Sequence, residues 1–312
     1  MFAGTLSISS AMDYPFEGMP SILAIAMPPA FGPLLAITIN GNGSITPSTA
    51  PIIRTGNIYV LTGNISDYYY LEIRCGNITL DGAGYTLEGK GGYYTSPGID
   101  VETNGVTVKN INIQNYGGGG LDINGSFNTV VGSVINSGVF LDGSYNNVTG
   151  NTIEREVGVS SEYNNITENN IQFVNVRASA SYNNFVANRI GLVILDGNYN
   201  VFYLNDFYHD PRYIHKILTR PPCIGNRFDN GTVGNYWSDY NGTDMNLDGI
   251  GDTPYKISGN LQDNYPFMTP YNSSSATLMR LVYAVVAAAA IIAIVAIAVK
   301  LKKRRQQSVE VS

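Results

Sequence analysis

The chain has 312 residues and a net charge of −6, and only 13 % of its residues are charged. Because a nucleic-acid-binding surface needs a basic face to meet the phosphates, this acidic balance argues against nucleic acid as a partner. Gly and Asn are abundant, with 34 of each. That composition favours turns, β-branched strands and stacked amides over helices.

Residues 1–37 form an apolar N-terminal segment. Its core, PSILAIAMPPAFGPLLAI at 20–37, contains four prolines, and no Lys or Arg precedes it. Since a secretory signal normally starts with a basic region, we interpret the segment as an apolar lead-in or an eroded signal. Export is supported by N-glycosylation sequons, which lie at Asn42, Asn64, Asn77, Asn124, Asn147, Asn165, Asn230, Asn241 and Asn272.

Residues 38–208 contain a repeat, shown by the phrases SYNNVTGNTI (144–153), EYNNITENNI (162–171) and SYNNFVANRI (181–190). An apolar reference residue recurs at Val108, Val130, Val148, Ile166, Phe185 and Phe202. Five positions later come Ile113, Ile135, Ile153, Ile171, Ile190 and Phe207. Nine positions earlier come Ile99, Leu121, Val139, Val157, Val176 and Val193, and seven earlier come Val101, Ile123, Leu141, Val159, Ala178 and Leu195. These four columns predict a continuous apolar core.

Apolar and polar residues alternate with period 2 around each reference residue, which indicates short strands and not amphipathic helices. Strands and turns that repeat about every 18 residues predict an all-β solenoid. Its coils should stack at ~4.8 Å, so that equivalent side chains lie over one another. We therefore expect Ile166 to be buried and Thr167 to face the opposite way.

Aromatic and amide side chains form further columns. The aromatic column contains Phe127, Tyr145, Tyr163, Tyr182 and Tyr199. The amide columns contain Asn128, Asn146, Asn164, Asn183 and Asn200, and Asn151, Asn169, Asn188 and Asn205. Stacked amides can hydrogen-bond along the solenoid axis, and Asn tolerates the left-handed backbone of sharp corners. We interpret these columns as structural ladders, with a sugar-stacking platform as the alternative for the aromatic one.

One outward column starts with two acidic residues, Asp100 and Asp122, and continues with Phe140, Gly158, Arg177 and Ile194. Carboxylates on adjacent coils lie ~5 Å apart and repel each other unless a cation bridges them. Inverting glycoside hydrolysis needs two carboxyls ~6.5–9.5 Å apart, which Asp100 and Asp142 could provide. The catalytic candidates are thus Asp100, Asp122 and Asp142, although we favour a solvated acidic patch.

Residues 209–270 are predicted to cap the solenoid, and they contain the motifs NYWSDY and DMNLDGIGD. The second motif alternates oxygen ligands as calcium loops do, with Gly249 permitting a sharp turn. Its calcium ligands would be Asp244, Asn246, Asp248, the Ile250 carbonyl and Asp252. Tyr255 stands at the twelfth position where an EF-hand has Glu, so a complete EF-hand is excluded. The alternative is a metal-free network of Asx turns.

After a linker at 271–280, residues 281–299 form an uncharged stretch, LVYAVVAAAAIIAIVAIAV. Its 19 residues match the length of a transmembrane helix, and a buried core helix is the alternative. The tail at 300–312 begins with KLKKRR, whereas only Arg280 precedes the stretch. The positive-inside rule therefore predicts a single-pass membrane protein with a cytoplasmic C-terminus and an extracellular ectodomain.

Several segments resemble the NosD-like parallel β-helix family, whose members are described as copper-binding or as carbohydrate-binding and sugar-hydrolase proteins. They are GSITPSTAPIIRTGNIYVLTGNI (43–65), NITLDGAGYTLEG (77–89), the NNxT coils, GNYWSDYNGTDMNLDGIGDTPY (234–255) and DNYPFM (263–268). The resemblance covers roughly residues 37–270 and is greatest for archaeal cell-surface members. It implies a right-handed single-stranded β-helix, a hand that spacing alone does not show.

The copper role of that family is not supported by these residues. Soft-metal sites need two to four ligands together, and the chain offers only His209, His215, Cys75 and Cys223 without a Met cluster. The two cysteines flank the clear coils, whose five intervals of ~4.8 Å separate the ends by ~24 Å. A disulfide spans at most ~7 Å between Cα atoms, so we expect free thiols unless residues 208–223 run back along the solenoid.

Taken together, these features predict an extracellular, membrane-anchored solenoid that is structural, adhesive or glycan-binding and not an enzyme. Its partners would be the membrane, glycans or neighbouring surface proteins, and calcium would be its only cofactor. The alternative is a carbohydrate-active enzyme of the β-helix class, either a polysaccharide lyase or a glycoside hydrolase. An aromatic or acidic groove would favour this alternative, and a smooth solenoid would favour the first interpretation.

Overall fold

The computed structural model describes residues 35–271, except 67–68, 92–95, 214–215 and 221. The N-terminal segment up to residue 34, Asn272, the predicted membrane segment at 281–299 and the basic tail lie outside the described residues. In the part of the chain that is described, no helix is long and apolar enough to cross a bilayer.

The described chain is built from strands and turns. In chain order the strands are β1 (Leu35–Ile39), β2 (Ile45–Thr46), β3 (Ile52–Thr55), β4 (Ile58–Leu61), β5 (Tyr69–Ile73), β6 (Thr79–Asp81), β7 (Thr86–Glu88), β8 (Ile99–Val101), β9 (Thr107–Lys109), β10 (Asn112–Gln114), β11 (Leu121–Ile123), β12 (Thr129–Val131), β13 (Val134–Ile135), β14 (Val139–Leu141), β15 (Asn147–Thr149), β16 (Thr152–Val159), β17 (Asn165–Thr167), β18 (Asn170–Val176), β19 (Asn184–Val186), β20 (Arg189–Leu195), β21 (Val201–Tyr203), β22 (Asp206–Phe207), β23 (Ile217–Thr219), β24 (Tyr236–Trp237), β25 (Tyr255–Ser258) and β26 (Leu261–Asp263).

These strands form a parallel β-solenoid of about eight turns, as the repeat predicts. A nine-stranded sheet runs in the order β21-β19-β17-β15-β12-β9-β6-β4-β3, and a fifteen-stranded sheet forms the remaining sides. Equivalent strands of successive coils pair in register, for example Val148 with Ile166 and Ile166 with Phe185. Three pairs are antiparallel: β1 with β2, β3 with β4, and β25 with β26.

The apolar columns form one continuous core. All six reference residues are at most 1 % exposed, and Tyr59 and Leu80 extend their column into earlier coils. The residues five positions later are equally buried. Thr149 and Thr167 face outward from the same strands and join through their hydroxyls at 3.0 Å. The predicted register of the nine-stranded sheet is confirmed.

Two column assignments in the coil before Phe185 are wrong. Val174, not Val176, pairs with Val157 and Val193, whereas Val176 pairs with Val159 and Leu195. Ala178 follows β18 in a turn. A bulge after Ile153 gives β16 one more residue than β18. The turn between β18 and β19 is in return two residues longer than the turn between β16 and β17. The two irregularities nearly cancel in the repeat length, which is why spacing alone concealed them.

Buried amides lie at both ends of β15, β17, β19 and β21 in the nine-stranded sheet. Asn146 Oδ1 accepts a hydrogen bond from the Asn128 backbone N–H at 2.8 Å, and Asn164 does the same for Asn146. The second column repeats this pattern from Ser133 through Asn151 and Asn169 at 2.9 Å. Since a buried backbone N–H without a partner is costly, these amides stabilise turns that strand pairing does not reach.

The aromatic column forms a stack on the solenoid surface. Neighbouring ring centroids lie 5.1–5.3 Å apart and the rings are within 9° of parallel. Each of these residues has a left-handed backbone, with φ between 55° and 60°. The rings therefore cover one another's faces, and the stack presents mainly ring edges to solvent.

Parallel stacking continues beyond residue 208. β23 pairs with β20, and β24 pairs with β22. The end of the core is covered by aromatic rings, in which Trp237 stacks on Phe207 at 4.3 Å and on Tyr255 at 4.2 Å. Asp263 is fully buried there and accepts hydrogen bonds from Trp237 Nε1 and the Asn235 backbone N–H, at 2.9 and 2.7 Å.

Candidate functional site

A groove lies along one corner of the fifteen-stranded sheet. In earlier coils the corner separates two short strands, such as β13 and β14, whereas β16 spans both positions as one long strand. The groove encloses about 380 Å³ and continues into a second compartment of about 520 Å³. The first is lined by Tyr116, Gly117, Gly118, Gly119, Ser137, Gly138, Phe140, Arg155, Glu156, Gln172 and Phe173.

The Phe140 ring lies directly on glycine backbone. A Cβ atom at Gly138 would be 2.8 Å from Phe140 Cζ, and one at Gly158 would be 2.6 Å from Phe140 Cδ1. Gly119 likewise leaves no room for a Cβ beside this ring, at 2.9 Å from Cε2. Three successive coils therefore carry glycine where a side chain would lift the ring. Phe140 is held flat and half-exposed.

Polar side chains form the other wall of the groove. Arg155 and Glu154 are exposed at the β16 bulge. Glu156 Oε1 accepts a hydrogen bond from Asn175 Nδ2 at 2.9 Å. With its amide oriented to satisfy both atoms, Gln172 accepts from Arg212 Nη2 at 2.9 Å. These partners fix the carboxylate and the amide beside the Phe140 ring.

Arg212 lines the larger compartment. Its guanidinium is paired with Asp210, which is 4 % exposed, and the closest approach is 2.6 Å. Hydrogen bonds from Arg212 hold the pKa of the Asp210 carboxyl below its usual value. Because Arg212 is itself exposed, its other donors can meet a ligand in the larger compartment.

The predicted catalytic residue Asp122 lies next to this groove. Asp100 and Asp122 are paired neighbours on β8 and β11. Burial, followed by the Asp100 and Asp142 carboxylates, raises the pKa of Asp122 to about 7. Burial and then Glu102 raise the pKa of Asp100 to about 6. A Cβ at Gly119 would touch both Asp122 Oδ1 and Phe140.

The Asp122 carboxyl is incompletely satisfied. Its Oδ1 atom is buried without a hydrogen-bond partner, whereas Asp100 Oδ1 accepts from Asn124 at 2.9 Å. Glu72 extends the same row by pairing with Asp100, and it is neutralised by Arg74 at 2.7 Å. The acidic row is therefore longer than the sequence columns indicated, and it ends at the groove.

Phe140, Gly158 and Ile194 continue the row of Asp122 as predicted, whereas Arg177 is placed differently. Asn175, not Arg177, pairs with Gly158 and with Ile194. Arg177 follows β18, where its backbone N–H bonds to the Val159 carbonyl. Asp142 is exposed and directly follows β14, outside the row of Asp100 and Asp122. The structure thus brings Asp100 and Asp122 together and leaves Asp142 to act on Asp122 only through charge.

The predicted calcium loop is an exposed turn. Asp244 accepts hydrogen bonds from the Asp248 and Gly249 backbone N–H groups, at 3.2 and 2.9 Å. Asp252 Oδ2 accepts from the Met245 N–H at 2.8 Å, and Asp248 accepts from Ile250 at 2.8 Å. Each carboxylate oxygen has a second lone pair, so these bonds are compatible with cation binding as well as with an Asx-turn network.

Other predicted sites are distributed over the surface. Cys75 and Cys223 are free thiols in the structure. Within the described ranges, no three His, Cys, Asp or Glu side chains lie close enough together to hold a metal. Seven of the eight described sequon asparagines are exposed, and Asn165 is half-buried in a surface amide row with Asn147.

Sequence reasoning missed the groove itself. Both the run Tyr116–Gly120 and the charged segment Glu154–Glu156 depart from the repeat. The spacing of the repeat therefore does not show that they lie beside the same groove. A flat, half-exposed ring beside fixed carboxylate, amide and guanidinium groups can stack against an apolar face and bind hydroxyl groups at its edges.

The chain matches no protein-family model, no curated protein and no solved structure. The resemblance to β-helix proteins is supported by the fold alone, which is a parallel solenoid.

Proposed function

We propose that this protein is an extracellular β-solenoid that binds glycans in the corner groove. The observation that supports this most is the Phe140 ring, held flat on three glycines and flanked by Arg155, Glu156 and Gln172. The C–H face of a sugar ring stacks on an aromatic face, while its hydroxyls need both donors and acceptors. The groove supplies both along its length.

The finer parts of the proposal come from the sequence. The NosD-like resemblance implies a right-handed coil and an archaeal cell-surface setting. The stretch at 281–299 would anchor the protein, with the solenoid outside and the basic tail in the cytoplasm. Exposed sequons would carry glycans of their own. This arrangement would display the groove to neighbouring cells or to the surrounding matrix.

Calcium binding by the 244–252 loop belongs to the same proposal. Asp244, Asp248 and Asp252 carry hard oxygen ligands of the kind that calcium prefers, and a bound ion would draw these three carboxylates closer together than they stand in the structure. A bound ion would stabilise the end of the solenoid by mass action. Calcium should therefore raise the melting temperature and protect the loop from proteases, and an unchanged melting temperature at saturating calcium would contradict this part of the proposal.

The experiment for the groove is a glycan array probed with the detergent-solubilised full chain. Phe140→Ala and Arg155→Ala should each lose at least about tenfold in affinity for any glycan bound by the parent, since each removes one anchoring contact. Tyr163→Ala, in the aromatic stack on another face, is the matched control and should bind normally. Equal loss in Tyr163→Ala, or normal binding by both groove variants, would refute the proposal.

Catalysis is the second candidate, favoured by the raised pKa of about 7 at Asp122 beside the groove. A protonated Asp122 could act as a general acid, with Asp100 as the partner carboxylate. Adjacent coils stack at ~4.8 Å, closer to the ~5–5.5 Å of retaining glycosidases than to the spacing of inverting ones. Release of reducing ends from a bound glycan, abolished in Asp122→Asn, would establish this activity.

A further inference from the structure

The most exposed large apolar residues of the described chain occupy one loop tip. Met245 and Leu247 are each 85 % exposed, more than any other large hydrophobic side chain in the described part. They alternate with Asp244, Asn246 and Asp248, whose side chains bond within the loop. The polar side chains therefore bond to one another and to the loop backbone, while the two apolar side chains extend into solvent.

The backbone of the tip is fixed and strained. Leu247 has a left-handed conformation with φ of 61°, which is rare for a bulky residue without a special reason. The following N–H groups of Asp248 and Gly249 bond to Asp244. These contacts hold the two side chains in solvent in advance, so that little conformational freedom would be lost when an apolar phase covers them.

The tip adjoins the point where the chain leaves the solenoid. Gly251 donates to the Pro266 carbonyl at 2.8 Å, and Met268 donates to the Gly249 carbonyl at 3.0 Å. Three residues later, Tyr271 bonds to Asp206 on β22 at the same end of the solenoid. The ten residues from 272 to the start of the predicted membrane segment at 281 reach at most ~36 Å.

We propose that Met245 and Leu247 insert into the outer face of the membrane that anchors the chain. This inference rests on the anchoring in the proposed function and adds a second attachment point. An anchored chain presents its tip to the bilayer at high effective concentration, so two apolar side chains suffice where a free protein would need more. Insertion would hold the C-terminal end of the solenoid against the bilayer and set the direction in which the groove faces.

A tryptophan reporter tests this in the full chain. Leu247→Trp is reconstituted into phosphatidylcholine vesicles with or without bromine atoms on the acyl chains, since bromine quenches tryptophan only at short range. Zwitterionic lipid is used because the carboxylates around the tip would be repelled by anionic headgroups. The only native tryptophan, Trp237, is 1 % exposed and provides a constant background.

Ile53→Trp is the matched control. Ile53 is 58 % exposed on β3, at the far edge of the nine-stranded sheet and eight strand spacings or ~38 Å from β21. We expect the Leu247→Trp emission to shift to the blue and to be quenched by brominated lipid, at an insertion depth of ~5–10 Å. The Ile53→Trp emission should do neither. Met245→Trp provides a second reporter if Leu247→Trp does not fold.

The two proposals fail in different ways. If the chain floats with the vesicles but both reporters are unquenched, the anchor stands and the insertion is refuted. A blue shift without bromine quenching would assign the tip to contact with a second copy, which also refutes insertion. If the chain does not float with vesicles, the anchoring and this inference fail together.

Discussion

The nine-stranded sheet and the corner groove use polar residues in opposite ways. On the sheet, asparagines such as Asn169 are buried, and their amides bond to the neighbouring coils. At the groove, the β16 bulge and the glycines beneath Phe140 interrupt the repeat and leave Arg155 and Glu154 exposed. In the regular repeat, polar side chains are used in hydrogen bonds between coils. Where the repeat is interrupted, polar side chains remain available to bind ligands.

The largest expected effect is at the regular face. Replacing Ile166 with Asp places an unpaired carboxylate in a fully buried column, at a cost of several kcal/mol. We expect loss of cooperative unfolding in denaturant melts monitored by circular dichroism. Thr167→Asp, which points outward on the same strand, is the control. A stable Ile166→Asp protein would show that the columns do not form a packed core.

A smaller but still clear effect is expected for Asn169→Ala. The Asn169 side chain accepts from the Asn151 backbone N–H at 2.9 Å and donates to the Val148 carbonyl at 2.8 Å. Its loss leaves buried groups unpaired, which should lower the free energy of unfolding by about 2–4 kcal/mol. Asn147→Ala, at an exposed amide of the adjacent strand, should cost much less. Equal losses would mean that the buried ladder contributes no special stability.

The groove side should show a pH effect of modest size. Burial raises the pKa of Asp122 to about 7, far above that of an unfolded aspartate, so the folded state binds the proton more tightly. Its contribution to stability is complete below about pH 4 and is lost as pH rises through about 7. Asp122→Asn should therefore raise the melting temperature at pH 8 more than at pH 4.

Asp100 and Asp263 should also make the folded state less stable as pH rises, because burial raises the pKa of each to about 6. Glu162→Gln, which makes the same charge change at an exposed residue, is the control for Asp122→Asn. A melting temperature of Asp122→Asn that follows the parent at every pH would contradict the burial of a protonated carboxyl beside the groove.

The regular face could be predicted from the sequence because each of its residues repeats. Val148 and Ile166 occupy one column whatever happens elsewhere, and Asn146 and Asn164 stand at a constant distance from them. The groove could not be predicted in this way. Its shape depends on Gly119 and Gly158 of the two neighbouring coils meeting the Phe140 ring, and on β18 being one residue shorter than β16 where the two strands pair. Local departures that nearly cancel in length leave little trace in spacing.

The most direct test of the glycan-binding proposal is a crystal structure of the ectodomain with the best-bound oligosaccharide from the array. We predict a sugar ring stacked on Phe140, with its hydroxyls bonded to Arg155, Glu156 or Gln172. A sugar ring seated on the aromatic stack of Phe127, Tyr145, Tyr163, Tyr182 and Tyr199, with the groove left empty, would contradict the assignment of binding to the irregular face.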